Sequence, residues 1–314
     1  MESITPNRPG MTERAGVFIL IALMGAGFVV GGGLSFVMWK AMTGESIAQM
    51  QESMMNPSFV NEVRVIQTLL AAFIFFIPAF ITAFLLHKRP FIYLGLRRKS
   101  SLPTIGIGMA LMATTIVLSG VLASLTEMIP VSESMRVYFK GLEDTYMKQV
   151  LVLSQMTGIP DLLLSILVMG LAPAIFEEVF FRGGLQQMMT KATGKVWFSI
   201  IFTSLLFSAI HFSFYGFLSR AAMGIVLGLL FARSGNLWIP ILAHFLNNTI
   251  GVIQVYILRI QGKNIADNMD DKFPLWSGLL ALVVIYTLFI YYTKSVSKDR
   301  GKGLTGSIHL EALS

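Results

Sequence analysis

The chain of 314 residues contains no cysteine, which excludes disulfides, thiolate zinc centres and a thiol nucleophile. Charge is the second scarcity. Asp, Glu, Lys and Arg make up 13% of the residues, where a soluble domain carries about 25%. Histidine is the third, with four copies, so chemistry that needs an imidazole has few places to sit. Internal repeats and low-complexity tracts are also missing. What fills the chain is apolar: 54% of residues are hydrophobic. Few charges among so many apolar residues describe a polytopic membrane protein. The net charge of +7 is then a property of loops beside a bilayer and does not imply a nucleic-acid partner.

A spanning helix needs about 20 mostly apolar residues. Eight stretches are candidates: 15–39, 65–86, 102–125, 161–181, 196–212, 215–232, 237–258 and 275–293. Backbone at membrane depth must satisfy its own hydrogen bonds, so each is predicted to be a helix. The fold class is therefore all-α, polytopic, with about eight transmembrane helices. The first stretch follows Arg8 and Arg14, as a secretory leader would. Its apolar run is too long for a leader and lacks a small-residue cleavage site, so it is expected to be retained. With the N-terminus inside, the Lys and Arg residues divide 15 inside to 9 outside, Arg64 and Arg220 among the outer ones. That bias puts both termini in the cytoplasm of a plasma (inner) membrane protein, and the cluster Lys88 to Lys99 carries most of it. The chain divides into N-terminal helices with outer loops at 1–150, a helical core at 151–260, and a last helix with a polar tail at 261–314. In one long outer loop Met135, Tyr138, Leu142, Tyr146 and Val150 recur at helical spacing, which predicts an amphipathic helix lying on the bilayer. The plain reading is a surface connector; the sharper one is a lid over a substrate route. Gly44 to Glu62, rich in Met and Glu, is a weaker case of the same kind.

Polar residues inside the apolar runs carry the functional signal, because a charge at membrane depth is expensive. Glu177 and Glu178 close a run that begins at Leu162, and Arg182 follows. Residues four apart share a helix face, so Glu178 and Arg182 are expected to pair. Glu177 points about 100° away and has no such partner, which makes it a general-base candidate. Pro173 removes one backbone hydrogen bond and is expected to loosen the helix just before it. The blander alternative is a helix end at which Arg182 caps two snorkelling carboxylates. His87, beside Lys88 and Arg89, reads as interfacial, and His309 as solvated. His211 and His244 lie within apolar runs. Phe207 stands four before the first and Asn248 four after the second, so each pair shares a face. One buried histidine is usually a packing residue. Two of them, each with a same-face partner, after an intramembrane Glu-Glu pair, indicate a site.

Whether these groups meet depends on depth. If the helix carrying Glu177 runs on to a turn near Gly194, Glu177 and His211 both lie about 25 Å from that turn. His244 lies about 13 Å from the turn near Gly235. The groups are then about two helical turns out of register. Gly224 and Gly228 are expected to let their helix pack closely on its neighbours.

Glu-Glu-x-x-x-Arg (Glu177, Glu178, Arg182), Phe-x-x-x-His (Phe207, His211) and His-x-x-x-Asn (His244, Asn248), in this order and in separate apolar segments, resemble the CPBP family. These are the CAAX-protease and bacteriocin-processing intramembrane endopeptidases, also called the ABI family. The similarity covers about 160–255. It implies hydrolysis of peptide bonds inside the bilayer, with peptides or lipidated proteins as substrates, and a catalytic core within 151–260. On the matching positions, Glu177 would activate a water that His211 helps to hold. His244 and Asn248 would stabilise the oxyanion, while Glu178, Arg182 and Phe207 support them. The family has also been described as metalloproteases, and two histidines with a glutamate can make a zinc site. His-Glu-x-x-His is missing, so no cofactor and no metal are expected, with zinc as the alternative. Two rival functions use similar groups: a proton-coupled transporter, and a non-catalytic immunity or binding protein on the same fold.

Overall fold

The computed structural model describes residues 11–265 and 273–303; Arg8, Lys272, His309 and the tail from residue 304 lie outside them. Seven helices are long and apolar enough to cross a membrane: α1 (Glu13–Thr43), α2 (Pro57–Leu86), α3 (Leu102–Glu127), α5 (Ile159–Thr193), α7 (Phe217–Ser234), α8 (Trp238–Ile260) and α9 (Leu275–Gly301). Between them lie α4 (Glu133–Leu153) and the shorter apolar α6 (Val196–Ala209). No strand occurs among the described residues. The chain is an all-α integral membrane protein. Two predicted spans change. The span at 161–181 continues to Thr193 and stops at Gly194, which takes the left-handed φ of 70° that ends a helix. The span at 196–212 is a helix of 14 residues, about 21 Å long against roughly 30 Å of hydrocarbon. His211 therefore sits in the turn beyond it.

α5 is the element around which the others pack. Two wide turns, Ile166–Leu171 and Val179–Gln186, flank its α-helical stretch Ala172–Glu178. At the first, the Ala172 N–H reaches back five residues to the Leu167 carbonyl. This shift carries the ladder past Pro173, which has no N–H to give. α2 does the same, with a wide turn at Ala72–Phe76 just before Pro78. Pro173 thus loosens the helix as expected. The second wide turn contains no proline, carries Arg182, and is buried at every residue. Leu20, Ala79, Phe180, Phe181, Phe207 and Ile241 share one core, which draws on α1, α2, α5, α6 and α8.

α7 approaches α5 and α6 at two glycines. A Cβ on Gly224 would lie 2.9 Å from the Ser204 Cβ, and one on Gly228 2.8 Å from the Gln186 Oε1. The closeness lets α5 donate to the backbone of α7: Arg182 Nη2 to the Gly224 carbonyl at 3.1 Å, and Gln186 Nε2 to the Gly228 carbonyl at 3.0 Å. Side chains four apart on one helix meet carbonyls four apart on the other.

The expected depth mismatch closes because the α7–α8 turn is sunk into the protein. Asn236 and Leu237 are buried, and the Leu237 N–H donates to the Gly95 carbonyl. Leu237 also packs against Gly183, where a Cβ would meet it at 3.1 Å. Gly183 is about three helical turns short of Gly194, so α8 starts well inside and delivers His244 to the level of Glu178.

α4 lies over this core. Arg64 was expected to be an outer-loop charge; it is only 2% exposed. Its Nη2 donates to the carbonyls of Leu153 and Gln155 and to the Ser165 hydroxyl, tying the end of α4 to α2 and α5. Farther along, Ser213 donates to Glu143 at 2.8 Å, and Phe139 stacks on Phe214 at 4.1 Å. Met135 and Tyr138, assigned to the apolar face, are exposed; the inward face begins at Phe139.

Candidate active site

The two adjacent glutamates have opposite surroundings. Glu178 is fully buried. Its Oε1 accepts from Arg182 Nη1 at 2.7 Å and from His244 Nδ1 at 2.9 Å, and its Oε2 has no partner among the described residues. Arg182, 1% exposed, divides its donors between Glu178 and the Gly224 carbonyl and lies 5.0 Å over the Phe207 ring. The pairing of Glu178 with Arg182 is the one that helical spacing predicts.

Glu177 retains 14% side-chain exposure. It faces a cavity of about 300 Å³ that Gln67, Thr68, Tyr146, Gln149 and Pro173 also line. α4 thus forms part of the cavity wall. The Glu177 Oε2 is 4.0 Å from His244 Nε2, so His244 bridges the pair, with Nδ1 on Glu178 and Nε2 toward Glu177. A carboxylate only accepts, so the Nδ1 of His244 carries the hydrogen.

His211 follows α6, where its N–H still closes a turn on the Ser208 carbonyl. The next residue, Phe212, is the only non-glycine with positive φ among the described residues, at 49°. That is an uncommon conformation for a bulky side chain, and it turns the chain sharply after the histidine. His211 Nδ1 lies 2.8 Å from the Phe207 carbonyl. A carbonyl only accepts, so the neutral ring keeps Nε2 as an acceptor. The Phe207 ring stands edge-on to both imidazoles, 5.0 Å from His211 and 5.8 Å from His244, and spaces them. Asn248 is on the same face of α8 as His244. Its Nδ2 donates to the Gly170 carbonyl in the first wide turn of α5 at 3.4 Å, and its Oδ1 accepts from Asn247.

His87 packs inside, 5.6 Å from the Tyr93 ring, and accepts from the Arg89 N–H; it is no interfacial side chain. Two contributions escaped the sequence reading. One is the contact of His244 with Glu178, which links residues 66 apart. The other is Arg220, counted as an outer-loop charge. Its guanidinium lies 5.2 Å over the Tyr146 ring, within electrostatic reach of Glu177 and His211. Its position inside the apolar run 215–232 is the signal that could have found it.

A carboxylate facing a cavity in a helical membrane protein, with a buried ion pair behind it and the His244 imidazole beside it, can take a proton from water; His211 and Asn248 do not line that cavity. Residues 159–250 match the family described as type II CAAX prenyl endopeptidase Rce1-like. Three curated relatives match part of the chain. The Escherichia coli "Uncharacterized 24.3 kDa protein" is 31% identical over 100 residues, 31% of this chain and 46% of that protein. From Bacillus subtilis (strain 168), "Putative membrane peptidase YdiL" is 32% identical over 90 residues, 29% of this chain and 36% of that one. "Uncharacterized protein YpbD", from the same strain, is 32% identical over 111 residues, 34% and 54% of the two chains. The chain spans about half or less of the curated relatives it matches. No solved structure matches it. The segment matched to the family contains all three motifs, and the resemblance drawn from them holds.

Proposed function

We propose that the protein is an intramembrane endopeptidase that hydrolyses peptide bonds of membrane-delivered substrates, CAAX-type lipidated proteins among them. The observation that carries this reading is the division between the glutamates: Glu178 is consumed by Arg182 and His244, while Glu177 faces the cavity beside His244. Glu177 accepts a proton from a water whose second hydrogen is held by His211 Nε2. The resulting hydroxide adds to the scissile carbonyl. The oxyanion is met by the Asn248 amide and by His244, whose Nε2 donates only from the doubly protonated ring. Collapse of the intermediate breaks the C–N bond, and Glu177 returns its proton to the leaving amine. The match to the CAAX prenyl endopeptidase family and the likeness to the YdiL putative membrane peptidase support the reaction class.

The reaction is proposed without a metal. Among the described residues no three His, Asp or Glu side chains gather as a metal would require. Two measurements test the proposal on the purified protein. Glu177→Gln is expected to lose cleavage of a farnesylated CAAX peptide by at least about a hundredfold, the scale of general-base catalysis, while its unfolding temperature holds. Wild-type activity is expected to survive exhaustive chelation. Cleavage persisting in Glu177→Gln overturns the assignment of the base. Stoichiometric metal, with activity lost on its removal and regained on its return, overturns the metal-free route.

A further inference from the structure

Arg220 has a place built for it, but its Nη1 has no acceptor among the described residues. It stands in the first turn of α7, near the positive end of the helix dipole, which disfavours a cation. The guanidinium folds back over Gly216, where a Cβ would lie 2.1 Å from Nη1; any side chain there would displace it. The Tyr146 ring of α4 covers it at 5.2 Å. Nη1 is buried and has no hydrogen-bond partner among the described residues. The buried Arg64 and Arg182 each donate to several acceptors, although Arg182 Nε also lacks a partner among the described residues; no such bond is made among them by the partly buried Arg220. The acidic groups near Arg220 do not take its hydrogens. Glu143 accepts from Ser213, and Glu177 stands within electrostatic reach without a hydrogen bond or ion pair to it. A buried cationic donor left open in this way favours the arrival of an anion.

We propose that Arg220 is a substrate-binding residue that takes the C-terminal carboxylate of the peptide. The inference rests on reading the Glu177 cavity as a peptidase site. A free terminal carboxylate is the anion that unmodified peptides share, and a guanidinium grips it with parallel N–H···O bonds. Arg220 itself does not line the cavity, but Tyr146 joins the two places, lining the cavity of Glu177 and covering Arg220 with its ring. A chain whose end is held there presents to Glu177 a bond close to its C-terminus. Arg220 therefore selects chain ends over internal loops.

The test compares a farnesylated CAAX peptide as the free acid and as the C-terminal amide, on the full-length protein in nanodiscs. The wild type is expected to show a KM about tenfold or more higher for the amide, the scale of a charge-assisted hydrogen bond. In Arg220→Met the acid should fall to the level of the amide, erasing the preference, with kcat changing far less than KM. Arg220→Lys should restore the preference in part, since it keeps the charge without the fork. A merely structural role would weaken both peptides alike. Equal handling of acid and amide by the wild type, or an acid preference that survives in Arg220→Met, overturns the carboxylate site. Binding to Glu177→Gln separates this inference from the proposed reaction. If the acid binds more tightly than the amide but the wild type does not cleave it, hydrolysis falls and the carboxylate site stands. If neither form binds, the site falls.

Discussion

Glu177 and Glu178 differ in what surrounds them, and substitution should separate them. Glu178 holds two buried donors, Arg182 and His244. Glu178→Gln removes the charge that meets a guanidinium 1% exposed, and stranding one member of a buried pair costs about 3–5 kcal/mol. The expected result is a lower unfolding temperature and less folded protein after extraction, in contrast with the stable but inactive Glu177→Gln. A stable, inactive Glu178→Gln beside an active Glu177→Gln would reverse the two roles. At this scale the sequence was readable only along a single helix. The Glu178–Arg182 pair follows from spacing alone, whereas the contact with His244 depends on how α8 is laid against α5. Arg220 and Arg64 were misread for a related reason: counting charge by loop assumes that a cation near a helix end faces water.

The elements show where local rules reach and where they stop. Pro173 announces a disturbance, because the ring leaves an N–H missing that the helix must step around. The wide turn at Val179–Gln186 announces nothing; its residues read as continuous helix, and only packing on every side explains it. Gly224 and Gly228 were legible as a contact face because small residues let membrane helices approach. That contact can be tested against a neutral control. Gly224→Leu forces a Cβ to 2.9 Å from Ser204, with the Ser204 Cα at 3.1 Å, so backbone has to move. Overpacking of this kind costs about 1–3 kcal/mol. It also pushes away the carbonyl that accepts from Arg182, so cleavage should fall together with the unfolding temperature. Gly106→Leu adds a side chain where nothing lies within 4 Å and should leave both unchanged. Equal behaviour of the two variants would show that α7 tolerates a wider separation than its position implies.

For the whole molecule, the number of passes decides where the ends lie. Seven long helices taken alone would put the ends of α1 and α9 on opposite faces. α6 decides the count. It begins at Val196, directly after the turn at Gly194 that ends α5. The turn beyond it meets α4 through Ser213 and Phe214, and α4 connects the far end of α3 to the start of α5. The stretch 196–216 therefore runs from the face where α5 ends to the face where α5 begins, although its helix is too short to do so alone. We infer from this an eighth pass beside the seven helices long and apolar enough to cross, with one leg completed by a turn. With eight passes the ends share a face, and the excess of Lys and Arg predicts that this face is the cytoplasmic one. A reporter active only in the cytoplasm is expected to work when fused at either end and to fail in the loop between α1 and α2. A reporter active only outside should do the reverse. Inversion of the whole pattern would overturn the orientation while keeping the fold. Ends that report from opposite faces would mean that 196–216 does not cross, and the path traced through α6 would be wrong.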